Sequence, residues 1–289
     1  MAAILAVGIA TLDIINTTER YPAEDEELRA VAQRVARGGN AANTLDVLAQ
    51  LGHDSRWLGM LADDAEAGRI RAALAERGID CRHAATSPGS RSPVSYITVS
   101  RATGSRTIVH HRDLPEPTAD DFAAVPLDGL DWLHFEGRNV AATRAMIRDA
   151  RARAPGLPVS VEIEKPRDGI ASLAEAADVV VYARAYAEAL GYGDPQALLA
   201  AAPPGRLAFC AWGEAGGWLR SPDGACRHEP ACPPPAVVDT VGAGDVFNAG
   251  LIHALVRGET PVAALRCANR LAGAKCGRAG LEGLGGASA

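Results

Sequence analysis

The sequence predicts an α/β protein in which helices cover both faces of a mostly parallel β-sheet and a smaller β-layer is attached to that body. Three observations lead to this prediction. The composition, 48% hydrophobic and 22% charged, is that of a folded globular protein. Short apolar runs alternate with segments of helical periodicity through most of the 289 residues. Two stretches, about 13–35 and 92–111, lack that periodicity. We therefore expect a single domain over residues 1–289, in which these two stretches form the small β-layer.

The elements of the larger layer follow one another in order along the chain. Apolar runs predict the strands, and apolar positions at intervals of three and four residues predict the helices. Strands are expected at 4–7, 55–58, 132–135, 159–163, 179–182 and 207–211, and helices after Asn40 and at 64–77, 141–153, 170–176 and 185–190. Within 92–111, alternating apolar residues on either side of a turn at 102–105 predict a hairpin. Because parallel strands end at one edge of a sheet, we expect functional residues at their carboxyl ends.

The charge and the apolar pattern exclude several classes of partner. The formal net charge is −6, whereas binding to nucleic acid or to an anionic membrane surface needs a positive face. No apolar run approaches the roughly 20 residues of a membrane-spanning helix, and the apolar start lacks the basic residues of a signal peptide. The six cysteines have no metal-binding or C-x-x-C spacing. We therefore expect a cytoplasmic protein that binds neither nucleic acid nor membrane.

A glycine turn in the last quarter of the chain is the strongest local motif. Residues 237–245 read Val-Val-Asp-Thr-Val-Gly-Ala-Gly-Asp and precede an amphipathic run, which predicts a strand, a tight turn and a helix. Backbone N–H groups around Gly242 and Gly244, at the positive end of that helix, would stabilise an anion such as a triphosphate. Two interpretations of Asp245 stay open: it caps the helix, or it is a general base for a hydroxyl that attacks a phosphate.

A second motif, Gly-Gly-Asn-Ala-Ala-Asn at 38–43, opens a helix. Asn40 and Asn43 are three residues apart and share one helix face. Their amides either cap the helix or recognise the hydroxyl groups of a sugar. Asp13, placed at the end of the first strand, lies in the same crevice if the sheet is doubly wound, and is otherwise an ordinary turn residue.

With these motifs the chain resembles the PfkB, or ribokinase, family of sugar kinases. The early signature is Gly38-Gly39-Asn40 with Asn43, and the late one is the motif that ends at Asp245. The resemblance implies a ribokinase-like, three-layer Rossmann-like body with a small β-sheet lid formed by about 13–35 and 92–111. It also implies that the lids of two subunits clasp in a homodimer.

Other stretches are similar to the ketohexokinase branch of this family, and they lie at 21–25, 106–109, 136–139, 159–167, 210–212 and 233–235. This similarity implies transfer of the γ-phosphate of ATP to a primary hydroxyl of a ketose, with fructose giving fructose 1-phosphate. The alternatives are a kinase of ribose, another ketose, 2-keto-3-deoxygluconate or a nucleoside, and a catalytically silent sugar-binding relative.

The resemblance also implies roles for individual residues. Asp245 would be the base, and Gly242, Ala243 and Gly244 would form the anion hole. Arg106 would reach the transferred phosphate or the sugar, although from the sequence alone it equally fits a solvated strand position. The expected sugar-binding residues are Asp13, Gly39, Asn40 and Asn43, with Asp25 supplied by the partner subunit.

Further positions are implied for the nucleotide and for cations. Gly213, Gly216 and Asn269 would border ATP together with Gly242 and Gly244. Glu162 and Glu164 would approach Mg²⁺ through water, the alternative being a charged strand end paired with Lys165 or Arg167. Asp239 and Val241 would lie near a monovalent cation such as K⁺.

Overall fold

The computed structural model describes residues 1–287, so the last two residues of the expected domain lie outside the described part. The strands in chain order are β1 (Ala3–Val7), β2 (Thr11–Thr18), β3 (Ala32–Gly38), β4 (Asp54–Leu58), β5 (Met60–Leu61), β6 (Ala85–Thr86), β7 (Arg91–Ser100), β8 (Arg106–Asp113), β9 (Trp132–Glu136), β10 (Val159–Ile163), β11 (Val179–Ala183), β12 (Leu207–Ala211), β13 (Gly217–Arg220) and β14 (Cys226–Glu229).

The helices begin mostly at residues whose side chains cap them. In chain order they are α1 (Asn40–Gln50), α2 (Ala65–Glu76), α3 (Ala119–Ala123), α4 (Val140–Arg153), α5 (Ala171–Ala176), α6 (Arg184–Ala189), α7 (Pro195–Ala201), α8 (Ala243–Val256) and α9 (Pro261–Cys276). Side-chain caps start five of them, namely Asp64, Thr118, Asn139, Asp194 and Thr260. Helices α1 and α8 instead begin after Gly39 and Gly242 and have no side-chain cap.

The main sheet confirms the predicted α/β body. Its strand order is β14-β13-β12-β11-β10-β9-β1-β4, and all pairs from β4 to β12 are parallel. Strands β13 and β14 add an antiparallel edge. Strand β4, which follows β1 in the sequence, lies on one side of β1, and the later strand β9 lies on the other. The strand order therefore reverses at β1. Such a reversal opens a crevice at the carboxyl ends of the strands.

The second sheet is small and antiparallel-rich, with strand order β3-β2-β7-β8. The two stretches of the sequence that lack helical periodicity contribute these strands. Strands β7 and β8 form a hairpin whose turn includes Gly104, where φ is 69°. This sheet, called the lid below, lies over the carboxyl edge of the main sheet.

Two apolar cores fill the space on either side of the main sheet. Helices α1, α2, α8 and α9 supply one core, and helices α3 to α7 supply the other. The parallel strands β1, β9 and β10 are buried along their whole length, and β4, β11 and β12 are buried in part. No helix within residues 1–287 combines the length and the hydropathy that a membrane span requires.

Two local predictions are wrong. No strand precedes the glycine turn: Val237 and Val238 are 67% and 56% exposed, in extended chain that follows three consecutive prolines. These valines suit a strand, but the backbone N–H of Val238 bonds to the carbonyl of Cys276 on α9 rather than to a sheet. Asp13 does not end the first strand, which stops at Val7, but lies in β2 of the lid.

Candidate active site

A cleft of about 380 Å³ separates the lid from the carboxyl edge of the main sheet. The body contributes the chain after β1, the ends of β10 and β11, and the first turns of α1 and α8. The lid contributes β2, β7 and β8. Twelve of the predicted site residues line this cleft: Asp13, Gly39, Asn40, Asn43, Arg106, Glu162, Glu164, Val241, Gly242, Ala243, Gly244 and Asp245.

The N-terminus of α8 faces the cleft without a side-chain cap. Gly242 adopts φ 82° and ψ 3°, a left-handed conformation that favours glycine, and the helix starts at the next residue. The first N–H groups of a helix have no partner within the helix, and the helix dipole makes this end positive. The first turn of α8 can therefore hold an anion.

The Asp245 side chain does not cap this helix, so the capping interpretation is wrong. Its Oδ2 accepts a hydrogen bond of 2.7 Å from the Nδ2 of Asn43, and the residue is only 7% exposed. Burial and the nearby Glu162 raise the pKa of Asp245 well above its usual value, although the Asn43 amide lowers it. A carboxylate with a raised pKa, aimed into a cleft beside an anion site, is suited to accept a proton.

Helix α1 brings its two asparagines to the same place, and neither of them caps the helix. A side chain at Gly39 could not fit, because φ is 99° and a Cβ would lie 2.3 Å from the carbonyl oxygen of Ile9. This close approach sets the start of α1 against the end of β1. The Nδ2 of Asn40 then donates to Glu162 at 3.1 Å and to Glu164 at 3.3 Å.

Carboxylates lie at the floor of the cleft, where Glu162 and Glu164 line it, and both Glu162 and Glu136 are buried. Glu162 is 5% exposed, and burial together with the negative charges of Glu136 and Glu164 raises its pKa to about 8. Glu136 accepts a hydrogen bond of 2.9 Å from the backbone N–H of Ile9 and forms an ion pair with Arg138 at 3.2 Å. Glu164 pairs with Lys165 at 3.4 Å, as the alternative interpretation expected, whereas Glu162 does not.

Arg106 joins the lid to the glycine turn. Arg106 is exposed, and its Nη1 donates to the Oγ1 of Thr240 at 2.6 Å. The guanidinium is thus not a freely solvated strand group, since it reaches across the cleft opening to the residue that precedes Val241. Asp13, on β2 of the lid, accepts from the Oγ1 of Thr11 at 2.8 Å.

Asp25 lies outside the cleft of its own subunit, in an exposed turn between β2 and β3. Its φ of 62° is the one positive value at a non-glycine residue in the described chain. Such a conformation is uncommon for residues other than glycine.

Gly213, Gly216 and Asn269 do not line the cleft either, but they are close to each other. Gly213 starts a short 3₁₀ helix (Gly213–Ala215) after β12, and Gly216 ends it. The Nδ2 of Asn269, on α9, bonds to the carbonyls of Glu229 and Pro230 at 2.8 and 3.0 Å. A Cβ at Gly216 would lie 2.3 Å from that same Glu229 carbonyl. These residues form one cluster beside β13.

Asp239 also lies outside the cleft, beneath the glycine turn, although Val241 lines it. The Asp239 carboxylate pairs with the ammonium of Lys275 at 3.1 Å. Burial would raise the pKa of Asp239, but the N–H of Val241 and the Lys275 ammonium bring it below its usual value. Burial lowers the pKa of Lys275, which this carboxylate opposes.

The sequence prediction missed the basic groups at the opening of the cleft. Arg138, His110 and Lys165 line it together with Arg106. Their positions could have been found from the rule on strand ends, because Arg138 follows β9 and Lys165 follows β10. Cations at the opening and carboxylates on the floor suit a ligand that combines phosphate with hydroxyl groups.

Comparisons with known proteins agree with this geometry. A family described as pfkB family carbohydrate kinase matches residues 1–283. Ketohexokinase of Mus musculus is 39% identical over 97% of this chain and 98% of that protein. The ATP-dependent ribose-1-phosphate kinase of Halopiger xanaduensis is 27% identical over 97% of this chain and 94% of that protein. The solved structure of ribokinase from Giardia lamblia shares the fold, with a TM-score of 0.81 and 17% identity over 98% of this chain and 96% of that chain.

The cleft and these relatives define an ATP-dependent phosphotransferase that uses an alcohol group as the acceptor. The chain belongs to the pfkB family of carbohydrate kinases.

Proposed function

We propose that this kinase phosphorylates a primary hydroxyl of a ketose, with fructose converted to fructose 1-phosphate. The observation that carries the proposal is the buried Asp245 carboxylate, which lies beside the uncapped start of α8 and is bonded to Asn43. The ketose is supported by the 39% identity to a ketohexokinase over nearly the whole of both chains.

The sugar would lie between α1 and the lid. Asn40 and Asn43 offer amide groups, Asp13 offers a carboxylate, and Gly39 permits close approach of the backbone. Polar groups that stay unpaired with the wrong ligand discriminate strongly between substrates. The hydroxyl to be phosphorylated would point at Asp245.

The transfer itself would be in line. The hydroxyl oxygen forms a bond to the γ-phosphorus, the bond from that phosphorus to the bridging oxygen of ADP breaks, and the hydroxyl proton passes to the Asp245 carboxylate. N–H groups at Gly242, Ala243 and Gly244 would stabilise the charge on the transferred phosphate. Arg106 would add its positive charge from the lid, and lid closure would exclude water. The cluster of Gly213, Gly216 and Asn269 would border the rest of the nucleotide.

The carboxylates on the floor fit a magnesium ion that is held through water. Oxygen ligands are those that Mg²⁺ prefers, and it usually keeps several of its waters. Glu162 and Glu164 would hold these waters, and the high pKa of Glu162 indicates a site where a cation would relieve repulsion. The described residues contain no cluster of three His, Cys, Asp or Glu that could bind a metal directly. When bound, the ion would neutralise charge on the β- and γ-phosphates.

A homodimer through the lids would complete the sugar site. The lid exposes an apolar surface made of Val31, Val35, Tyr96 and Val109, which are 47–64% exposed. Exposed apolar patches on soluble proteins often mark protein contacts. Asp25, outside its own cleft, would then reach the site of the partner subunit.

The test is an ADP-release assay with Mg-ATP over fructose, other ketoses, ribose, ribose 1-phosphate, 2-keto-3-deoxygluconate and nucleosides. ³¹P NMR of the product would distinguish phosphorylation at the 1-position of fructose from that at the 6-position. Preference for fructose with a 1-phosphate product supports the proposal. Preference for another acceptor contradicts the ketose assignment, and silence on every acceptor with intact ATP binding indicates a sugar-binding relative without kinase activity.

A further inference from the structure

The second lysine of the chain is fully buried under the glycine turn. Lys275 lies in the last turn of α9 and is 0% exposed. Its Nζ donates to the backbone carbonyl of Asp239 at 2.8 Å, to the carboxylate of Asp239 at 3.1 Å and to the carbonyl of Arg278 at 3.3 Å. An ammonium group has three N–H donors, so these three acceptors satisfy it completely.

Both carboxylate oxygens of Asp239 accept from donors. Oδ1 accepts from the N–H of Val241 at 2.8 Å, and Oδ2 accepts from the N–H of Gly280 at 3.1 Å as well as from Lys275. Arg34 lies 3.5 Å from the same Oδ2. Every contact made to this carboxylate is therefore a hydrogen-bond donor or a cation.

A monovalent cation does not fit this arrangement. An ion near Asp239 and Val241 would compete with these N–H groups for the same carboxylate oxygens. It would also lie beside the Lys275 ammonium, and like charges in a buried, low-dielectric place repel strongly. The expected potassium site is thus one in which this chain supplies its own positive charge.

We propose that the Lys275 ammonium takes the place of a bound monovalent cation beneath the glycine turn, so that Lys275 is a positioning residue for the anion hole and the protein needs no potassium ion there. The connection to the site is short. Lys275 fixes Asp239, Asp239 fixes the N–H of Val241, and the next residue is Gly242, which starts α8.

The experiment compares the native protein with Lys275→Ala, in chlorides of potassium, ammonium or tetramethylammonium at one ionic strength. We expect the kcat of the native protein to differ by less than about twofold between K⁺ and tetramethylammonium, and its Tm by less than about 1 °C. Lys275→Ala should lower kcat by about tenfold or more, since misplacement of positioned groups is costly, with little change in the KM for sugar. K⁺ or ammonium, but not tetramethylammonium, should raise both kcat and Tm of the variant, because they fit the vacated space.

Arg257→Ala is the control, since Arg257 follows the last residue of α8 and its side chain is 61% exposed. It should behave as the native protein in all three salts. Saturable activation of the native protein by K⁺, with a rise in its Tm, would overturn the proposal, and so would a folded Lys275→Ala variant with normal kcat. If the variant does not fold, the native titration decides. The activity arm rests on the proposed function, whereas the Tm arm does not, so a native protein that is silent on every sugar still tests the inference.

Discussion

The amide of Asn43 and the carboxylate of Asp245 meet at 2.7 Å, although 202 positions separate them in the sequence. A second bond, from the Oγ1 of Thr44 to the backbone carbonyl of Asp245 at 3.3 Å, joins the same two helices. The residue proposed to recognise the sugar and the residue proposed to accept its proton are thus one hydrogen-bonded unit. Any change in the position of α1 would move the acceptor hydroxyl and the base together.

Asp245→Asn should abolish most turnover, because an amide cannot accept the proton. We expect kcat to fall by about 10²- to 10⁴-fold. The Tm should not fall, since the amide removes a buried charge that burial disfavours. Steady-state kinetics and thermal unfolding measure the two effects. Asp149→Asn, at a surface ion pair on α4, is the matched control and should leave kcat unchanged; near-normal turnover of Asp245→Asn would exclude the base assignment.

Asn43→Ala should shift the acidic limb of the pH profile of kcat/KM to higher pH. The amide stabilises the charged form of Asp245 and lowers its pKa, so its removal raises that pKa further. The base is then deprotonated only at higher pH. Thr260→Ala controls for destabilisation, because it removes the α9 cap, which is worth about 1 kcal/mol, at a position that does not line the cleft. An acidic limb that stays in place in Asn43→Ala argues against the coupling.

Arg106→Gln should lower kcat/KM by about 10²-fold, since a donor to the transferred phosphate is lost. Arg101→Gln changes an arginine in the turn of the same hairpin, where it pairs only with Glu19 at the surface, and should have almost no effect. Initial rates over a range of ATP and sugar concentrations separate the two. Equal kinetics of both variants would limit Arg106 to its contact with Thr240 and exclude a role in phosphate transfer.

Glu162→Gln should stabilise the magnesium-free protein more as the pH rises. The folded pKa is about 8, against an ordinary value of 4.5, so the folded state holds an extra proton between these values. The contribution of Glu162 to the free energy of unfolding is fully present below about pH 4.5 and is lost as the pH rises through 8. The Tm gap between Glu162→Gln and native should therefore widen toward pH 8, to roughly 3 °C or more. Glu175→Gln, at an exposed position of α5, should show no such widening.

Mixing two inactive variants tests whether Asp25 acts across a dimer. In a mixed dimer of Asp25→Ala and Asp245→Asn, one site keeps both native groups when Asp25 comes from the partner subunit. Random exchange of subunits should then restore about a quarter of native activity, since half of the dimers are mixed and each has one good site. Separate variants and their unexchanged mixture are the controls. A mixture that stays silent after exchange would place Asp25 in the site of its own subunit, and an active Asp25→Ala variant would place it outside the site.

Much of the body could be predicted because buried parallel strands consist of short, continuous apolar runs. The strands at 159–163 and 207–211 coincide with β10 and β12. The valines at 237–238 carry the same signal without a neighbouring strand to pair with, so the pattern misled there. Long-range partners gave no local signal: Asn40 follows an ordinary glycine turn, and its carboxylate partner lies 122 positions away. Lys275 is hidden for another reason, because a lysine near the end of a helix is normally a solvated group.

The uncapped start of α8 has a consequence for the lifetime of the protein. Five other helices gain a side-chain cap, each worth about 1 kcal/mol, whereas α8 has none, and its first turn stays open for the phosphate proposed above. The empty enzyme is therefore its least stable form, and a bound nucleotide completes the helix. In a cell that runs short of ATP, the unfolded fraction of the protein would rise as bound nucleotide is lost.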